Sequence, residues 1–145
     1  MKTVFASLAF AALLCAGVQA QNAPDAARTT AITGVWRGDM NGLPAVVMVV
    51  SDEGGQLTGA ALFYLQIRKN ASSPTTSTAG IAEPMLQPTF DGTTLRFAVS
   101  HRRAHPPHTL NDPPMPFHLK LIGPDKAELQ NEREGPPLVV TRSAY

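Results

Sequence analysis

From residue 32 onward, short apolar runs alternate with turn-forming residues at intervals of roughly ten residues, the pattern of an all-β sandwich or barrel. Alternation of period two is clearest over 57–68. There Leu57, Gly59, Ala61, Phe63, Leu65 and Ile67 share one side, and Thr58, Ala60, Leu62, Tyr64, Gln66 and Arg68 the other. Over 94–102, Leu95, Phe97, Val99 and His101 form the face predicted to be core, opposite Thr94, Arg96, Ala98, Ser100 and Arg102. Phe117, Leu119 and Leu121 continue the pattern, and a last strand runs through 138–142. Asn41-Gly42 and Asp91-Gly92 fall between such runs and suit tight hairpins whose central residues take positive φ. The expectation is about eight antiparallel strands closing into an up-and-down barrel. A two-sheet β-sandwich is the alternative, because it produces nearly the same alternation.

Three stretches break the pattern. Residues 69–82 are dominated by Ser, Thr and Ala and predict a long mobile loop. The segment 103–116 carries Pro106, Pro107, Pro113, Pro114 and Pro116, none of which donates a backbone hydrogen bond, and predicts a semi-rigid connection outside the sheet. Pro84 and Pro88 push the strand between these stretches towards an edge or a bulged course.

The first 20 residues change how the composition is read. Lys2, the apolar run 4–18 and the small-residue site Val18-Gln19-Ala20 predict a signal peptide cleaved before Gln21, and hence an exported protein, periplasmic or extracellular. Residues 21–31 are then a flexible lead-in, and 32–145 a single β domain. Loss of Lys2 leaves basic and acidic residues in equal number, so no basic footprint for nucleic acid remains. No apolar run of transmembrane length follows Ala20. Cys15, the single cysteine, falls inside the leader. The exported chain therefore enters an oxidising compartment without a disulfide, and its stability must come from a hydrophobic core. A lipid-bearing role for Cys15 is the other reading, although Leu14 stands where a small residue is usual.

Ile32-Thr33-Gly34-Val35-Trp36, followed by Gly55-Gln56-Leu57-Thr58-Gly59, resembles the opening of the calycin barrels, the group of lipocalins and avidins. The resemblance implies that Trp36 closes one barrel end and that Arg142, late on the last strand, packs across it. A guanidinium over an indole is favourable in any fold. The ending Pro137-Leu138-Val139-Val140-Thr141-Arg142 is similar to that of small exported bacterial β-domains, some of which accompany secreted hydrolases. Avidins line their site with several tryptophans and this chain has only Trp36, so biotin binding is not implied.

Candidate chemistry is sparse. All four histidines fall between His101 and His118, but His105 and His108 bracket two prolines and strand parity sets His101 and His118 on opposite faces, so no metal is expected. Asp39, Asp52, Glu53, Asp91 and Asp125 border turns, where short acidic side chains have a structural reason to occur. Ser100 and His101 are strand neighbours and point to opposite faces, so they form no dyad. Asn70-Ala71-Ser72 is a glycosylation sequon, relevant only to a eukaryotic secretory pathway.

These features predict a non-catalytic protein without a cofactor. One reading is a carrier holding a small apolar ligand, its cavity lined by Phe63, Leu65, Phe97 and Val99 with His101 at the mouth, and with Gly59 and Ala61 leaving space. The alternative is a protein-interaction or accessory module of a secreted hydrolase or cell-envelope assembly, with a filled core and the proline-rich segment as a docking loop.

Overall fold

The computed structural model describes residues 29–100, 113–132 and 135–143. A single helical turn at 29–32, in which the Thr33 amide donates to the Thr29 carbonyl at 3.1 Å, leads into nine strands. These are β1 (Gly34–Met40), β2 (Leu43–Glu53), β3 (Gln56–Ile67), β4 (Thr76–Pro84), β5 (Leu86–Phe90), β6 (Thr94–Val99), β7 (Met115–Gly123), β8 (Lys126–Asn131) and β9 (Leu138–Ser143). All pair antiparallel in one continuous sheet of order β4-β3-β2-β1-β9-β8-β7-β6-β5. The first strand therefore pairs with the last in one continuous ladder whose ends are β4 and β5; among the described residues these two do not pair with each other, so the sheet is a half-barrel rather than the closed eight-stranded barrel expected.

Local chemistry explains the tight hairpins. Asn41 (φ 56°) and Gly42 (φ 75°) both take the left-handed conformation that matches the twist of β1 and β2. At the β5–β6 turn the Asp91 carboxylate accepts from the amides of Thr93 at 2.9 Å and Thr94 at 2.8 Å, so its side chain completes what the backbone leaves open.

The sheet is strongly curled into a half-barrel. Phe63 on β3 and Phe117 on β7 lie five places apart in the strand order, which in a flat sheet is about 24 Å. Their ring centroids are 5.1 Å apart. Inside the curl, Trp36, Met48, Ala61, Leu95, Leu119 and Val140 are fully buried, and among the described residues the core holds no fully buried polar side chain.

Two expectations are corrected. There are nine strands in the sheet, because the stretch expected to be a mobile loop contains β4: Leu65 pairs with Thr78 and Ile67 with Thr76. Threonine suits a pleated surface as well as larger β-branched residues do, while its hydroxyl hides the strand from an apolar count. Between β4 and β5 the chain turns at Met85, whose amide donates to the Gly59 carbonyl of β3 at 2.9 Å. β5, which contains Pro88 and the positive-φ residue Gln87, is bulged between Leu86 and Thr89 and ends the sheet, as Pro88 predicts.

Candidate functional site

One end of the curl is packed around Trp36, which is fully buried. Trp36 on β1 pairs in register with Arg142 on β9, so the two side chains share the inner face. The guanidinium carbon of Arg142 sits 4.7 Å from the indole centroid. The indole Nε1 donates to the Ile32 carbonyl at 2.9 Å, and Ile32 itself is fully buried, so the N-terminal turn acts as a plug. Arg142 fastens that plug. Its Nη1 donates to the Thr33 carbonyl at 2.7 Å, and its Nη2 donates to the carbonyls of Ala31 and of Pro124, the latter at 3.1 Å. Nε lies 3.2 Å from Asp125 Oδ1 as an ion pair without the alignment of a hydrogen bond. The Gly34 of the Gly-x-Trp motif has φ 130°, a backbone conformation that favours glycine, while a Cβ there would meet Arg142 Cγ and Cδ only in ordinary contact at 3.4 Å.

Two clefts of about 490 and 370 Å3 flank Arg142 on the solvent side of this plug. They are open, and the guanidinium at their centre is already engaged by protein carbonyls. Neither reaches the predicted interior lining.

Around its middle the interior is occupied by side chains. Phe63 and Phe117 stack with their planes 24° apart, and Phe97 stacks on Phe117 at 5.6 Å and 14°. The small inward residues leave less space than the sequence suggests. A Cβ at Gly59 would lie 2.3 Å from the Val49 carbonyl oxygen and 2.9 Å from Met85 Sδ, and Ala61 is fully buried.

Of the predicted lining, Phe97 and Val99 are buried on β6, while Phe63 is half-buried. Leu65 departs from expectation: it follows the alternation of Phe63 but is 61% exposed, so it is not enclosed. The reason is its place at the end of β3, beyond the level at which the phenylalanines meet. His101 lies outside the described residues, as do His105, His108 and residues 1–28, which include the proposed leader. His118 sits on the outward face, in register with Arg96 and Gln130. Among the described residues, no group of three or more His, Cys, Asp or Glu side chains is arranged to hold a metal ion, and no helix is long and apolar enough to cross a membrane.

The turn carboxylates have structural partners. Asp52 accepts from the Gly55 amide at 2.6 Å and from the Thr29 hydroxyl, tying the plug to the β2–β3 hairpin. Sequence reasoning missed two polar residues on the inner side. Glu83 pairs with Ala61 and lies 3.4 Å from the Ser100 hydroxyl, which donates to it. Asn131 pairs with Phe117 and donates to Met115 Sδ at 3.8 Å. For Glu83, just beyond the loop expected over 69–82, the missing signal was β4 itself, without which no parity is assigned to it. Asn131 shares the parity of Ala127 and Leu129, which would have placed it inward. Comparison with protein-family models, curated proteins and solved structures finds no match to this chain.

Proposed function

We propose that this is an exported, non-catalytic β-barrel protein that works through its surface, as an interaction or accessory module with a filled core. The observation that carries the reading is the stack of Phe63 on Phe117 across the interior, which occupies the level where an apolar ligand would sit. The buried plug at Ile32 and the contact of Met85 with Gly59 act in the same direction. Export rests on the leader at residues 1–20.

In this reading β4 and β5 are two halves of one kinked strand. β4 pairs with β3 and β5 with β6, so a turn at Met85 closes an eight-stranded meander whose first and last strands already pair. The Trp36–Arg142 pair supports the calycin resemblance as a matter of architecture, and architecture does not decide function.

A second reading, a carrier for a small apolar molecule, draws on the exposure of Leu65 beside half-buried Phe63. Titration with a fluorescent apolar probe separates the two. The filled-core reading expects no saturable binding by the wild-type chain and a gain of binding in Phe117→Ala, where a cavity opens. Stoichiometric binding by the wild type that is lost in Leu65→Glu establishes the carrier instead.

A further inference from the structure

We infer that Asn41 is a site of spontaneous and irreversible modification, converting to aspartate and isoaspartate through a cyclic imide closed with Gly42. An asparagine side chain cyclises when the backbone nitrogen of the next residue reaches its Cγ. Burial opposes this, as do a hydrogen bond on the side chain, a hydrogen bond on that backbone amide, and a Cβ on the next residue. At the β1–β2 turn none of these obstacles stands. Asn41 and Gly42 are both exposed. Among the described residues no hydrogen bond holds the Asn41 side chain or the Gly42 amide. Gly42 carries no Cβ, and no atom lies within 4 Å of where one would stand.

Comparable positions are each restrained. Asn70 Oδ1 accepts from the Ser72 amide at 3.1 Å and from the Ser73 hydroxyl at 2.8 Å, and Ala71 follows it. Asn131 is half-buried, donates to Met115 Sδ and precedes Glu132. Asp91 also precedes a glycine, but its carboxylate is tied to the amides of Thr93 and Thr94. Asn22 and Asn111 lie outside the described residues. In the left-handed conformation of Asn41 the Gly42 nitrogen is turned away from Cγ, so ring closure passes through a local opening of the turn. Such opening costs least at an exposed hairpin tip. The Gly42 nitrogen then bonds to Cγ, its proton leaves with the side-chain nitrogen as ammonia, and water opens the imide. Opening at Cγ yields aspartate. Opening at the main-chain carbonyl yields isoaspartate, which lengthens the backbone of the turn that sets the β1–β2 register. Either product adds a carboxylate close to exposed Asp39, and the inference holds whether the interior is filled or takes a ligand.

Peptide mapping by mass spectrometry tests the inference on the folded, exported chain, incubated in mildly alkaline heavy-oxygen water and sampled over weeks. Asn41 should convert at least about tenfold faster than Asn70 or Asn131, because glycine alone leaves the attacking amide unhindered. Aspartate and isoaspartate should both appear at this position, each carrying one heavy oxygen. A folded chain that stays unmodified at Asn41, while the same chain in denaturant converts, overturns the inference and makes the turn protective. Conversion of Asn70 or Asn131 at the same rate as Asn41 overturns it too. Aspartate without isoaspartate does so as well, since direct hydrolysis of the side chain needs no imide.

Discussion

The guanidinium of Arg142 lies 4.7 Å from the centre of the Trp36 ring while its nitrogens hold the carbonyls of Ala31, Thr33 and Pro124. One side chain thus covers the indole, fastens the N-terminal plug and ties the β7–β8 turn to the last strand. Arg142→Ala removes a cation–π contact and several charge-assisted hydrogen bonds together, an expected loss of about 2 to 4 kcal/mol. It should also alter the fluorescence of Trp36, the chain's single tryptophan. Arg142→Lys keeps the charge but not the planar fork and should recover only part of the loss. An unchanged emission spectrum and thermal midpoint in Arg142→Ala would contradict this role.

This pair was legible in the sequence because both of its signals are local. Gly34-x-Trp36 opens the first strand, and Arg142 falls near the end of the last. The phenylalanine contacts were legible only as a shared face. Alternation sets Phe63, Phe97 and Phe117 inward, but the meeting of Phe63 and Phe117 depends on how strongly the sheet curls, which no single strand encodes. β4 was illegible because Thr76, Ser77 and Thr78 are polar residues in an extended strand, and the exposure of Leu65 was illegible because parity assigns a face but not a depth.

Gly59 tests whether the space inside is already taken. A methyl group at this position would lie 2.3 Å from the Val49 carbonyl oxygen and 2.9 Å from Met85 Sδ, so Gly59→Ala must move backbone as well as a flexible side chain. A loss of roughly 1 to 3 kcal/mol in chemical denaturation is expected, in the range of overpacked cores. A neutral or stabilising substitution would show that β2, β3 and Met85 are less tightly joined than these distances require.

The first hairpin makes a milder demand. Asn41 holds φ at 56°, a conformation open to Asn and Gly and costly for other residues. Asn41→Ala should therefore destabilise by about 1 kcal/mol, whereas Asn41→Gly should be close to neutral. Equal midpoints for the two variants would argue against a left-handed residue at this turn.

Acid should act on the β5–β6 turn. Hydrogen bonds from the amide of Thr94, and then of Thr93, hold the Asp91 carboxyl below its ordinary value of 3.8. A carboxylate lowered on folding contributes stability that is present above the ordinary value and is lost as pH falls through the lowered one. Thermal midpoints of the wild type and Asp91→Asn should accordingly differ at neutral pH and converge on acidification below the ordinary carboxylate range. A gap that stays constant with pH would contradict the shift.

The filled interior is the central claim, and native mass spectrometry of the protein purified after export tests it most directly. The expected result is the mass of the polypeptide starting at Gln21, or a whole multiple of it, with nothing further attached. An added mass of small-molecule size that survives native conditions and disappears on denaturation would contradict the claim and make the protein a carrier.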